Sequence, residues 1–164
     1  MRRHPRARRL LTGLAVAVAT AALLAGCAVT PPATRTPDPA LGELADSLTQ
    51  IDGVQDAVAA PSYDGSPNAK RLTLRIYLDE PATGDIVTIA TDSLRLGWKF
   101  DGFTPVAYSL QVWSGPRQSV PYDNSKRVDL TTALPALDLP NSRVHKRDLY
   151  PTIGDLEAKF GARE

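Results

Sequence analysis

Between residues 38 and 164 the spacing of apolar positions changes several times, and each change marks an element. Leu41, Leu44, Ala45, Leu48 and Ile51 fall at helical intervals and form one apolar stripe. Asp38 suits the N-cap of that helix and Pro39 its first turn; Gly53 suits its stop. Residues 54–63 read as an Ala-rich strand, and Asp64-Gly65-Ser66-Pro67-Asn68 as a turn. The strictest alternation follows over residues 70–79. Leu72, Leu74, Ile76 and Leu78 point one way, and Arg71, Thr73, Arg75 and Tyr77 the other. This is the signature of a sheet with one buried face, and the two strands are expected to pair as a hairpin.

After a break at residues 81–84, residues 85–96 predict a second helix, with Ile86, Ile89, Ala90 and Leu94 inward and Gly97 at its end. The β-branched run Ile86-Val87-Thr88-Ile89 pulls the same stretch toward strand. Trp98 and Phe100 are expected to plug the core beyond it. Residues 104–113 form a third strand: Val106, Tyr108, Leu110 and Val112 alternate with Ala107, Ser109, Gln111 and Trp113. Asp129 is placed to cap a short helix through Leu137, made irregular by Pro135. Residues 142–149 suggest a fourth strand. Thr152-Ile153-Gly154-Asp155 fits a capping box for a terminal helix ending at Gly161. The order α-β-β-α-β, then α-β-α, predicts an α+β fold with helices on one face of a mainly antiparallel sheet. The α-β-β-α-β core resembles part of a ferredoxin-like fold in element order, and such folds carry no activity with them. Residues 38–164 read as a single domain without internal repeats.

The first 37 residues follow another logic. Arg2, Arg3, Arg6, Arg8 and Arg9 precede an uncharged run of 15 residues, Leu10 to Leu24. That is the layout of an export signal, and it is short of the ~20 residues that a spanning helix needs. It ends in Leu24-Ala25-Gly26-Cys27, which resembles the lipobox of bacterial lipoproteins. The resemblance implies that residues 1–26 are removed and that Cys27 carries a diacylglyceryl group and becomes the first residue of the mature chain. Two acyl chains suffice for stable anchoring where one does not. Residues 27–37 contain Pro31, Pro32 and Pro37 with Thr30, Thr34 and Thr36, a composition expected to give an extended tether. Arg8-Arg9-Leu10-Leu11 has some likeness to a twin-arginine signal, so both export routes stay open.

Removing residues 1–26 changes the charge picture. The whole chain is formally +1, but residues 27–164 hold fourteen Lys and Arg against eighteen Asp and Glu. The mature chain is thus mildly acidic and lacks the basic excess typical of nucleic-acid binding, so no nucleic-acid partner is expected. With Cys27 lipidated no cysteine remains for a disulfide, and stability has to come from the core.

Candidate chemistry is sparse. His145 is the one histidine after His4 and lies in the cationic run Arg143-Val144-His145-Lys146-Arg147. One His without a free Cys cannot assemble a His/Cys zinc site, and no serine lies in a Gly-x-Ser-x-Gly elbow. The cationic run reads as a solvated face, or as a contact for anionic headgroups or wall polymers. No phosphate loop is present, and Asp123, Asn124 and Asp129 lack the Asp-x-Asp-x-Asp-Gly order of a calcium loop. No metal or cofactor is expected. The most suggestive group is Arg71, Arg75 and Tyr77, which share a sheet face with Trp113 and Gln111 if the alternation holds. Aromatic rings beside arginine make efficient anchors for a partner. The alternative is that a loop such as 117–126 covers Tyr77 and Trp113.

These features predict a non-enzymatic lipoprotein of the cell membrane, held on its extracytoplasmic face, that binds an envelope protein or glycan. The chain resembles small lipoproteins of high-GC Gram-positive bacteria, a resemblance that implies no activity. The alternative is an envelope hydrolase using carboxylates such as Asp123 and Asp129, which would need raised pKa values in a shared cleft. A third possibility is a small-molecule carrier with an apolar pocket between sheet and helices.

Overall fold

A computed structural model describes residues 38–63, 65–66, 68–79, 85–120 and 122–163; the signal segment, Cys27 and the whole tether 27–37 lie outside them. Helix α1 (Pro39–Leu48) starts as its sequence dictates: Asp38 accepts from the Ala40 amide, and Pro39 occupies the first turn. Leu41, Leu44 and Leu48 form its buried stripe. The chain turns at Gly53, whose φ of 82° favours glycine, into strand β1 (Val54–Tyr63). Strand β2 (Lys70–Leu78) pairs with β1 antiparallel, Tyr63 opposite Lys70. Helix α2 (Ile86–Trp98) then leads to strand β3 (Ala107–Ser114), which lies parallel to β2.

Helix formation won over the β-branched start of α2 because Asp85 caps it twice, accepting from the amides of Val87 and Thr88. The stripe of Ile89, Ala90 and Leu94 then packs into the core. Gly97 does not end this helix as its sequence suggested. It lies within the last turn, where an added methyl would come 2.9 Å from Leu74 Cδ1. Here glycine serves close approach of helix to sheet rather than termination. Trp98 and Phe100 are buried as expected, and the Trp98 indole donates to the Gly161 carbonyl at 3.0 Å.

The expected fourth strand is instead a tight hairpin of two short strands, β4 (Arg143–His145) and β5 (Asp148–Tyr150). Lys146 and Arg147 form its two-residue turn with φ of 50° and 74°. Both central residues being left-handed matches the twist a two-residue hairpin requires, a role usually filled by Asn and Gly. The absence of that dipeptide hid the turn from the sequence pattern. The helix expected between Asp129 and Leu137 is a turn followed by a 3₁₀ segment, Leu134–Leu137; Pro135 explains its irregularity. Helix α3 (Ile153–Phe160) is capped by Thr152, which accepts from the Asp155 amide. The reciprocal half of the capping box is absent: Asp155 is buried and accepts from the Asn141 amide, the Asn141 side chain and the Ser142 hydroxyl. Ser142 Oγ in turn takes the Thr152 amide at 3.1 Å. Burial raises the Asp155 pKa, but the hydrogen bonds from Ser142 and Asn141 outweigh it and leave the carboxyl below its ordinary value.

The sheet order is β1-β2-β3-β5-β4, with three neighbouring pairs antiparallel and the central β2–β3 pair parallel. The fold is therefore α+β with a mixed sheet. The crossover through α2 joins strands that lie side by side, whereas a split βαβ unit places another strand between them. Likeness to the ferredoxin-like arrangement thus stays at the level of element order. Leu72, Leu74, Ile76 and Leu78 of β2, with Tyr108, Leu110 and Val112 of β3 and Leu149 of β5, form one core with residues of all three described helices. The sheet edges are blunted: β1 carries a register irregularity between Val54 and Asp56 and has Pro61 on it, and β4 is three residues long. Residues 37–164 gather into one compact unit.

A side chain held in the left-handed region costs roughly 1 kcal/mol, and glycine at Lys146 removes that cost. Lys146→Gly is expected to stabilise the domain by about 0.5–1 kcal/mol, read as a higher midpoint in urea unfolding. A lower midpoint would show that the Lys146 backbone is relaxed in this turn.

Candidate functional site

The face of the sheet away from the helices carries the polar half of the alternation. From β1 come Asp56, Val58, Ala60 and Ser62; from β2, Tyr77, Arg75, Thr73 and Arg71; from β3, Trp113, Gln111, Ser109 and Ala107. The register sets Tyr77 opposite Trp113, Arg75 opposite Gln111 and Arg71 opposite Ala107. Asp148 and Tyr150 of β5 extend the face across the sheet. The four residues singled out in the sequence, Arg71, Arg75, Tyr77 and Trp113, thus share one face.

They are not equally accessible. Tyr77 is 1% exposed and Trp113 3%. The segment 115–127 lies over them: Tyr122 packs on Trp113 with ring centroids 5.6 Å apart, and the Arg127 guanidinium sits 5.1 Å above the Trp113 ring. Arg127 also makes an antiparallel bridge to Trp113. Tyr77 and Trp113 stack at 6.5 Å beneath this strap, and burial raises the Tyr77 phenol pKa against the opposing effect of Arg75. The expectation that both rings serve as surface anchors is corrected here. An exposed aromatic pair on a sheet is a large apolar area, and a loop bearing its own Tyr and Arg covers it.

The other half of the face is more open. Arg71 and Arg75 are half-buried. Arg71 lies 5.3 Å from the Tyr150 ring centroid. Arg75 donates to Gln111 Oε1 at 3.1 Å and stands 6.0 Å from the Tyr122 ring. Between them a hydroxyl chain runs across three strands, with Ser62 and Thr73 at 3.0 Å and Thr73 and Ser109 at 3.0 Å. Three guanidinium groups, those of Arg71, Arg75 and Arg127, therefore each face an aromatic ring on one surface.

Asp148 joins the two halves. It is 4% exposed, accepts from Gln111 Nε2 at 2.9 Å and pairs with Arg127 Nη2 at 2.5 Å. Burial pushes its carboxyl up, Arg127 and Gln111 pull it down, and the balance leaves it above the ordinary aspartate value. Arg147 ties the strap from the hairpin turn by donating to the carbonyls of Asn124 and Arg127. Sequence reasoning passed over Asp148, Arg127, Tyr122 and Tyr150. One signal was available: Asp148 is the single acid directly after the cationic run 143–147.

Other candidates resolve into local structure. His145 is exposed on β4. Asp123 and Asp129 are exposed, and each accepts from the hydroxyl and the amide of a residue two positions on, Ser125 and Thr131. Those bonds hold both carboxyls below the ordinary value. A shared site with a raised pKa needs the opposite, so this pair supplies no general acid. An open cleft of about 560 Å³ lies between the end of α1 and α2, lined in part by Asp52, Asp85, Asp92 and Arg95. There Asp85 is committed to its cap and Asp92 to Arg95 at 2.7 Å. Among the described residues no group of three His, Cys, Asp or Glu is arranged to hold a metal. The layer between sheet and helices, where a carrier pocket was conceivable, is occupied by Leu72, Leu74, Ile76, Ile89, Leu94 and Leu110, each at most 1% exposed. Comparison with protein-family models, characterised proteins and solved structures gives no match.

Arg127→Ala leaves a buried carboxylate without its cation and is expected to destabilise the domain by about 2–4 kcal/mol at neutral pH. Because the folded-state pKa of Asp148 is raised, the folded protein binds a proton there before the unfolded chain does. Removing Arg127, which pulls that pKa down, raises it further in the variant, so the variant takes up the proton at higher pH than wild type and the cost of Arg127→Ala shrinks as pH falls. Urea unfolding of wild type and variant between pH 7 and pH 5 checks this, and a cost independent of pH would place the loss elsewhere.

Proposed function

We propose that the chain is an extracytoplasmic lipoprotein, anchored to the cell membrane through a diacylglyceryl group on Cys27, whose domain is a non-enzymatic binding or accessory module. The single observation that carries the anchor is Leu24-Ala25-Gly26-Cys27, placed between an uncharged run and a Pro/Thr-rich stretch. The chain's one cysteine thus stands where the lipobox pattern puts the acceptor thiol. Residues 27–37 then act as a spacer between bilayer and domain.

Support for a binding role comes from the sheet face that no helix occupies. Its more open part offers half-buried Arg71 beside Tyr150, with the Ser62 hydroxyl at the edge, while Thr73 and Ser109 are buried behind them. A guanidinium next to a ring, with a hydroxyl beside them, suits a polar partner such as an envelope protein segment or a glycan. Tyr77 and Trp113 support this face from below rather than touching the partner.

Two outcomes are expected. Cys27→Ala moves the protein from the membrane fraction to the soluble extracytoplasmic fraction, and mass spectrometry of the native product finds an acylated Cys27 as first residue; a bare thiol or another N-terminus rules out the anchor. Arg71→Ala combined with Tyr150→Ala lowers crosslinked capture of envelope partners from intact membranes several-fold while circular dichroism stays unchanged. Capture equal to wild type would remove this face as the binding surface.

A further inference from the structure

At one end of the domain two exposed apolar side chains, Tyr63 and Val106, lie near Lys70, with Phe103 half-buried against the core beneath. Tyr63 closes β1 and pairs with Lys70, and the Val106 amide donates to the Lys70 carbonyl at 2.9 Å. Tyr63, Lys70 and Val106 are thus neighbours across three strands. The Lys70 ammonium stands 5.1 Å from the centroid of Phe103, whose ring meets Phe100 edge-on at 5.0 Å. Phe100 belongs to the core, but Tyr63 is 47% exposed and Val106 48%. On the outer sheet face Tyr77 and Trp113 are covered by their strap, which itself leaves Val120 77% and Tyr122 40% exposed at the other end of the domain.

The same end receives the chain from its N-terminal side. An added methyl at Gly102 would lie 2.8 Å from the Ala40 side chain in the first turn of α1, and Phe103 is the next residue. The polypeptide therefore enters the domain, at Asp38, beside the apolar cluster. Cys27 is eleven residues earlier, which limits the separation of Asp38 from the anchoring sulfur to about 37 Å when fully extended. Charged side chains among the described residues of this end are of both signs. Lys70, Lys99 and Arg163 stand with Asp38 and Asp101, and the Arg163 guanidinium is engaged by the carbonyls of Phe100 and Phe103. Apolar groups approach a headgroup layer most easily from a surface without strong net charge of the lipids' sign.

We infer that this end, through Tyr63, Phe103 and Val106, rests on the bilayer that holds the anchor, and so fixes the orientation of the domain above the membrane. The inference builds on the lipoprotein reading above. Tyrosine with a neighbouring lysine suits the interfacial zone, where a ring is half apolar and half wetted. Two or three side chains bind a membrane weakly when the protein is free. On a tether of eleven residues the contact becomes intramolecular, and a weak affinity then suffices. Such seating leaves the segment 115–127 pointing away from the lipid, because Gly115 bonds to Leu78 at the far end of β2.

The test uses the full-length lipidated protein reconstituted in vesicles of phosphatidylglycerol and phosphatidylcholine. With Cys27 acylated, Asn68→Cys and Ser119→Cys each introduce one labelling site, at the proposed membrane end and at the opposite end. Lipids with a spin-labelled headgroup are expected to quench a dye at residue 68 roughly threefold more than one at residue 119. Tyr63→Ser combined with Val106→Ser, both at half-exposed positions, is expected to erase most of that difference without changing the melting midpoint. Lys70→Gln, which keeps the apolar row, is expected to reduce it only in part. Equal quenching at the two sites would overturn the inference. So would a difference that survives the double serine variant, since tether entry alone would then account for it. A photocrosslinker at Val106 that joins one envelope protein in intact membranes, with no asymmetry in vesicles, would assign this end to a protein and likewise overturn it. Protein that fails to float with vesicles refutes the anchor itself, whereas protein that floats without asymmetry refutes only the seating.

Discussion

Everything in this domain is arranged around the two-sidedness of β2. Because successive side chains on a strand point to opposite faces, Leu72, Leu74, Ile76 and Leu78 form a wall for the helices, while Arg71, Thr73, Arg75 and Tyr77 have to be accommodated behind it. A slip of one residue would exchange the two sets and place two arginines in the core. The parallel pairing with β3 repeats the division, matching Leu74 to Leu110 on one side and Arg75 to Gln111 on the other. Sheet register, core composition and the character of the outer face are therefore one decision.

That decision creates a cost at the outer face, and the strap offsets it. Tyr77 and Trp113 side by side would leave a broad apolar area in water. Covering them with Tyr122 and Arg127 brings a guanidinium beneath the surface, where it needs an anion. Asp148 supplies it from the neighbouring strand, and Gln111 links the pair to Arg75. Buried ion pairs of this kind contribute little net stability compared with apolar packing, but losing one partner is expensive. They suit a device that fixes where a loop lies. The left-handed turn at Lys146 and Arg147 belongs to the same arrangement, since it brings Asp148 into the face and lets Arg147 hold the strap carbonyls.

The functional reading follows from the way the surfaces divide. One face is consumed by helices, part of the other by the strap, and the end near Asp38 leaves Tyr63 and Val106 exposed. In the proposed reading, the polar half-face would serve recognition and the end near Asp38 orientation. If the proposed anchor holds, a fixed orientation would keep the proposed face presented outward.

The sequence by itself was sufficient for whatever depends on neighbours along the chain. The alternation of residues 70–79, the caps at Asp38, Asp85 and Thr152, the buried plugs Trp98 and Phe100, and the shared face of Arg71, Arg75, Tyr77 and Trp113 were all legible, because each is set by a local period or a local hydrogen bond. The lipobox resemblance at Cys27 is likewise a local reading, of four adjacent residues, and lies outside the described residues. Tertiary structure decided the rest: that Gly97 is a contact point and not a terminus, that Lys146-Arg147 turns a hairpin without Asn or Gly, and that Asp148 meets Arg127 across 21 residues. It also decided that the two aromatic rings expected at the surface are roofed over, while Tyr63 and Val106 are not. Exposure and ion pairing depend on which distant segments arrive at the same place, and a one-dimensional pattern of polarity holds no record of that.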